Sequence, residues 1–251
     1  MAAPLPKPKR GIFDEVKINP GLTALWPSPD EPQKAGEDPV ADIVAVPGLG
    51  ANPEYSFRHS GEKVDWLKDK NMLHDRVKKT NIWIFGYDSQ WMGKSAIDAK
   101  LNGVAIQLLR AVVVNRPKSC TRPIVFIAHS LGGIVLERAL ILARNYPADY
   151  PNIFTCTVGC VFLGAPFRGT KTAEKARLLA QYAHAFGLGE DSGLVKVLEE
   201  RSEVLSDMLQ DFTRFAREVK MHLFCFYELR ATDLLRTVTK RAHPKMLVGL
   251  R

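Results

Sequence analysis

Cysteine is scarce in this chain: Cys120, Cys156, Cys160 and Cys225 are the only four in 251 residues. They form no metal-ligand set with one another or with the six histidines, and four thiols cannot staple a secreted scaffold of this size. Lying in or beside apolar runs, they are expected to be reduced core residues of an intracellular protein. Long apolar runs are missing too, since no segment approaches the roughly 20 residues needed to span a bilayer. The first ten residues, Met1 to Arg10, have no apolar stretch of the secretory kind. Their prolines (positions 4, 6 and 8) break the amphipathic helix of a mitochondrial leader. Secretion is therefore not expected. There is no internal repeat. The chain is basic, with 35 Lys and Arg against 27 Asp and Glu, but the basic residues are scattered and show no interleaving with aromatics. That pattern argues against a nucleic-acid partner and leaves an anionic membrane surface compatible.

What remains is an ordinary globular composition, 46% hydrophobic and 25% charged, long enough for one α/β domain with a sizeable core. Residues 1–40 hold eight of the sixteen prolines. This segment is expected to be a flexible strap, with Ile18 to Trp26 docking as an edge strand that buries Leu22, Leu25 and Trp26. Residues 41–251 form the expected domain.

The chain's centre of organisation is Ile124-Val125-Phe126-Ile127-Ala128-His129-Ser130-Leu131-Gly132-Gly133. An apolar, largely β-branched run reads as a buried parallel strand. Small residues then force a sharp turn, and Ile134-Val135-Leu136 opens a helix. A serine at such a strand–turn–helix corner is a nucleophile elbow, G-x-S-x-G with Ala128 in the first glycine's place. The turn lifts the Ser130 hydroxyl above the sheet, and the helix N-terminus offers free N–H groups to whatever the serine attacks.

Upstream, the apolar strand Asp42 to Val46 runs into Pro47-Gly48-Leu49-Gly50. No third glycine follows, so a dinucleotide cradle is the weaker reading and no cofactor is expected. The stronger reading pairs this loop with Ser130, the backbone N–H groups of Leu49 and Leu131 forming an oxyanion hole. Further strands are expected at 81–87, 157–163 and 222–227, with helices at 66–77, 95–114, 173–186 and 194–217. Strand and helix alternate, which predicts a mostly parallel sheet covered on both faces.

The ordered series PGLG, WL, GYDS, AHSLGG, FLGAPFRG and CFYE, between about Asp42 and Glu228, resembles the serine-active-site-containing lipase-like proteins. That resemblance implies an α/β-hydrolase fold, ester or lipid substrates, and association with mitochondrial or endoplasmic-reticulum membranes. It departs in two places. Phe167 stands where the family usually carries histidine, and the family's last strand and histidine loop are compressed into the residues before Arg251.

A triad needs a base beside Ser130 and an acid holding that base, in the chain order serine, acid, histidine. Glu228 is the expected acid, with Asp233 the alternative. His243 has the right order for the base; His129 precedes the serine, His184 sits on a helix, and His222 opens a strand at the wrong end. Only fourteen residues lie between Glu228 and His243, little more than a crossover of about a dozen residues requires. A regular final strand is therefore not expected. Two functions stay open: a serine esterase or lipase-type hydrolase of apolar acyl esters, or a catalytically impaired hydrolase domain serving as a binding or regulatory module. In the second, a partner would dock at the exposed C-terminal sheet edge.

Overall fold

A computed structural model describes residues 20–27, 38–48, 53–59, 64–87, 97–165 and 202–226. Its six-stranded sheet comprises β1 (Gly21–Trp26), β2 (Ala41–Val46), β5 (Thr80–Gly86), β6 (Ile124–His129), β7 (Thr157–Leu163) and β8 (His222–Phe226). The spatial order is β1-β5-β2-β6-β7-β8. All neighbours are parallel except β1, which runs antiparallel to β5. Two short strands, β3 (Arg58–His59) and β4 (Val64–Asp65), make a separate ribbon.

The strands are apolar on both faces because both faces are covered. On one side lie α3 (Ile97–Asn115), α4 (Gly132–Asn145), α5 (Ile153–Cys156) and α6 (Ser202–Glu218). They bury Val44, Val46, Phe126, Ala128, Cys160 and Phe162 together with Leu108, Leu136, Leu140 and Phe212. Phe162 meets Phe212 edge-on at 6.1 Å. The other side carries the short α1 (Pro53–Ser56), the β3–β4 ribbon and α2 (Leu73–Arg76). There Phe57 and Leu67 close over Ile43, Ala45, Ile82, Ile84 and Ile127.

At the amino end of the strands, Asp42 is 1% exposed yet charged. Arg116, Arg122 (3.0 Å) and Asn81 (2.7 Å) all donate to its carboxylate, so the buried charge is satisfied. This clasp joins the starts of β2, β5 and β6 and leaves the carboxyl ends for chemistry.

Three expectations change. The helix expected over 66–77 is a run of turns ending in the four-residue α2. The acidic side chains there take backbone donors: Asp65 Oδ1 accepts from Leu67 N–H (3.0 Å) and Asp69 Oδ2 from Asp65 N–H (2.8 Å). Such local bonds compete with the helical ladder. Cys225, expected in the core, is exposed on β8. And α5, just ahead of the strand expected at 157–163, has no counterpart in the sequence reading. The proline-rich segment does supply an edge strand, β1. The helix expected at 173–186 lies outside the described residues.

Candidate active site

Ser130 follows β6 directly and has φ +53°, a left-handed conformation rare for a residue with a β-carbon. Holding it there costs of order 1–3 kcal/mol, and such strain persists only where surrounding contacts dictate the backbone. Those contacts are identifiable. The Ser130 N–H donates to Leu163 O of β7 at 2.8 Å, and Gly133 N–H returns to Ser130 O at 3.0 Å. Behind the serine, Ala128 is fully buried and in register with Val46 on one side and Phe162 on the other.

Glycine is required one turn further on. A β-carbon on Gly132 would stand 2.3 Å from Pro47 O and 2.7 Å from Val46 O. Only a bare α-carbon lets α4 start so close to the end of β2. On the opposing loop, a β-carbon on Gly48 would lie 3.1 Å from Ser130 Cβ. The loop after β2 and the elbow are thus in contact, as the sequence pairing of PGLG with AHSLGG anticipates.

Leu131 is 4% exposed and immediately precedes α4, with helical φ and ψ of −64° and −17°. Among the described residues its N–H reaches no main-chain carbonyl, as expected at a helix start. Glu137, in the second turn of α4, is 1% exposed, and among the described residues no donor reaches its Oε1. Burial pushes its carboxyl up to about 8. Sequence reasoning passed over this residue, because a glutamate within a helix ordinarily faces water.

The other expected site residues divide. His129 turns its ring edge-on to Phe57, centroids 6.4 Å apart, on the far face of the sheet. His222 opens β8 opposite Gly159, at the end of the sheet remote from Ser130. The carboxyl end of β8 is closer: Gly164 N–H donates to Phe226 O at 2.8 Å, one strand beyond the Leu163 that holds Ser130. Leu49, Glu228, Asp233, His184 and His243, with Phe167, lie outside the described residues. Among the described residues no cluster of histidine, cysteine or carboxylate side chains could hold a metal ion.

A mostly parallel sheet with an antiparallel edge strand, helices on both faces and a strained serine between the central strand and its helix defines the α/β-hydrolase fold. No family model matches the chain. It is similar to Protein SERAC1 of Bos taurus, 25% identical over a 224-residue alignment that covers 80% of this chain and 32% of that protein. It is likewise 29% identical to Protein SERAC1 of Danio rerio over 235 residues, 84% of this chain and 34% of that one. The chain thus spans about a third of the length of the curated relatives it matches. Among solved structures, the type II thioesterase YbtT of the yersiniabactin pathway aligns at 16% identity with a TM-score of 0.41. That alignment covers 91% of this chain and 89% of the thioesterase.

Proposed function

We propose that this chain is a serine hydrolase of carboxylic esters with apolar acyl groups, lipid esters among them. The observation that carries the reading is Ser130 in a left-handed elbow, abutted by the loop after β2. Strained backbone at a serine has a chemical use here: it presents the hydroxyl at the carboxyl end of the sheet beside a helix N-terminus. In this mechanism Ser130 Oγ attacks the ester carbonyl and forms a C–O bond while its proton passes to His243. Glu228 orients His243. The N–H groups of Leu49 and Leu131 take up the charge on the carbonyl oxygen. The alcohol leaves with the proton from His243, and water then releases the acid by the same route. The resemblance to lipase-like proteins supports a lipid substrate and a peripheral position on a mitochondrial or endoplasmic-reticulum membrane.

Turnover of nitrophenyl esters with short, medium and long acyl chains tests this. The longer chains should be preferred, and Ser130→Ala should lower every rate by roughly a thousandfold or more, the order expected for losing a triad member. A Ser130→Ala variant as fast as the parent contradicts the proposal. The exposed Leu223 and Phe224 of β8 favour a second reading, in which the domain binds a partner through its sheet edge and turns over little. A folded parent inert to all the esters supports that alternative.

A further inference from the structure

Tyr87 stands just beyond β5 and is only 3% exposed. Its ring stacks on Phe85, centroids 5.2 Å apart and planes 19° from parallel. Its phenol donates to Pro47 O at 2.9 Å, across forty residues of chain. Burial raises the phenol's pKa, so it remains a donor at any working pH. The same Pro47 carbonyl faces Gly132, where a β-carbon would meet it at 2.3 Å. One peptide plane is therefore held between a hydroxyl from β5 and the first residue of α4. That plane is Pro47 C=O with Gly48 N–H. Turning it would swing Gly48, on which a β-carbon would lie 3.1 Å from Ser130 Cβ and which leads in sequence straight into the proposed donor.

Resting on the reading of Ser130 as the nucleophile, we infer that Tyr87 is a positioning residue that sets the oxyanion loop through the Pro47 carbonyl. It touches neither the ester nor the serine. Its work is geometric: an oxyanion donor is useful only when aimed at where the negative charge develops, 2.7–3.1 Å away. A buried tyrosine hydroxyl usually has some partner, so the bond by itself would also suit a purely structural residue. What separates the two roles is the identity of the acceptor, a carbonyl two residues before the proposed donor and clamped from its other side.

Phosphonylation of the intact chain by an alkyl fluorophosphonate is the test. Ser130 Oγ forms a bond to phosphorus, fluoride leaves, and the serine proton passes to the base, with charge gathering on the phosphoryl oxygen in the oxyanion hole. The maximal labelling rate and the concentration giving half that rate are measured for the parent, Tyr87→Phe and Phe85→Leu. Loss of an oxyanion donor costs roughly 10²–10³ in rate, and a misaimed donor costs less. Tyr87→Phe is expected to lower the maximal rate by about tenfold or more while the half-saturating concentration stays within about twofold. Phe85→Leu removes the stacked ring but keeps the hydroxyl, so it should lower the melting temperature and leave the maximal rate near the parent's. A Tyr87→Phe variant that labels like the parent overturns the inference alone. So does a Phe85→Leu variant that loses as much rate as Tyr87→Phe, which would make the effect one of packing. A folded parent that does not label at all overturns the reading of Ser130 and this inference with it.

Discussion

At the centre of the sheet, Val46, Ala128 and Phe162 stand side by side and none is more than 1% exposed. Two strands out from β6, on β8, Leu223 and Phe224 are 36% and 49% exposed and Cys225 is exposed beside them. The same kind of sequence, a short apolar run, has two fates. At the centre every residue is held from several sides: β2 and β7 flank the strand, α4 starts within contact of Pro47, and the serine is left no conformation but a strained one. At β8 the described partner is β7 on one flank, with α6 meeting the sheet through Phe212 against Phe162 of β7. Enclosure is greatest around Ser130, the proposed nucleophile. An apolar strand lacking that enclosure is the kind of surface on which the alternative reading places a partner.

Breaking the central region should have the largest effect. Gly132→Ala drives a methyl group into main-chain oxygens, which cannot move as a side chain would. Overpacking ordinarily costs about 1–3 kcal/mol. Here the loss should exceed that and approach the roughly 5 kcal/mol that marks the lower bound of domain stability. Chemical denaturation should find little cooperative unfolding left.

Next comes Glu137 on α4. Its folded pKa, about 8, lies above the ordinary 4.5, so the folded state holds the proton more tightly. Stability from this group is fully present below about pH 4.5 and is lost as pH rises through 8. The whole span is worth on the order of 3–5 kcal/mol at 1.36 kcal/mol per unit. Glu137→Gln should match the parent near pH 5 and exceed it by most of that amount near pH 9, measured by denaturant midpoints. A parent whose stability is flat across this range contradicts the burial described.

A smaller loss is expected for Ala128→Val, which adds two methyl groups between Val46 and Phe162. The cost should be about 1–3 kcal/mol with a parallel fall in serine reactivity. Unchanged melting would mean the close approach of strand and helix is absent. Least of all should change at the edge. Leu223→Lys with Phe224→Ser should alter stability by about 0.5 kcal/mol or less per site while lowering self-association in sedimentation. A loss as large as that at Ala128 would erase the contrast between centre and edge.

How much of this was legible in the sequence follows the same divide. β6 and α4 could be read because a β-branched run, a small-residue corner and a helical run succeed one another within 22 residues. β7 was legible end to end, since an apolar run from Val158 to Leu163 follows the β-branched Thr157 and a glycine closes it. The nearness of Pro47-Gly48 to the elbow was legible from the two motifs, and the 2.3 Å at which a β-carbon on Gly132 would meet Pro47 O gives it a physical form. What could not be read depended on side-chain competition or on neighbours absent from the local pattern. Asp65 and Asp69 divert the 66–77 segment into turns by bonding their own backbone. Cys225 looked like a core residue because its neighbours are apolar, whereas it is exposed on a strand that, among the described residues, pairs with β7 alone. Glu137 was passed over, because only the packing around α4 buries it. Tyr87 stood within a recognised motif, but its role depends on a contact with Pro47 that no spacing discloses.

The central claim, that the elbow makes Ser130 a nucleophile, is tested most directly by locating a covalent adduct. The intact chain is treated with a fluorophosphonate and the labelled peptide is sequenced by mass spectrometry. The account predicts one adduct, on Ser130, formed by the folded protein, lost on prior denaturation and absent from Ser130→Ala. An adduct on another residue, equal labelling of the Ser130→Ala variant, or no adduct on a fully folded sample would contradict it.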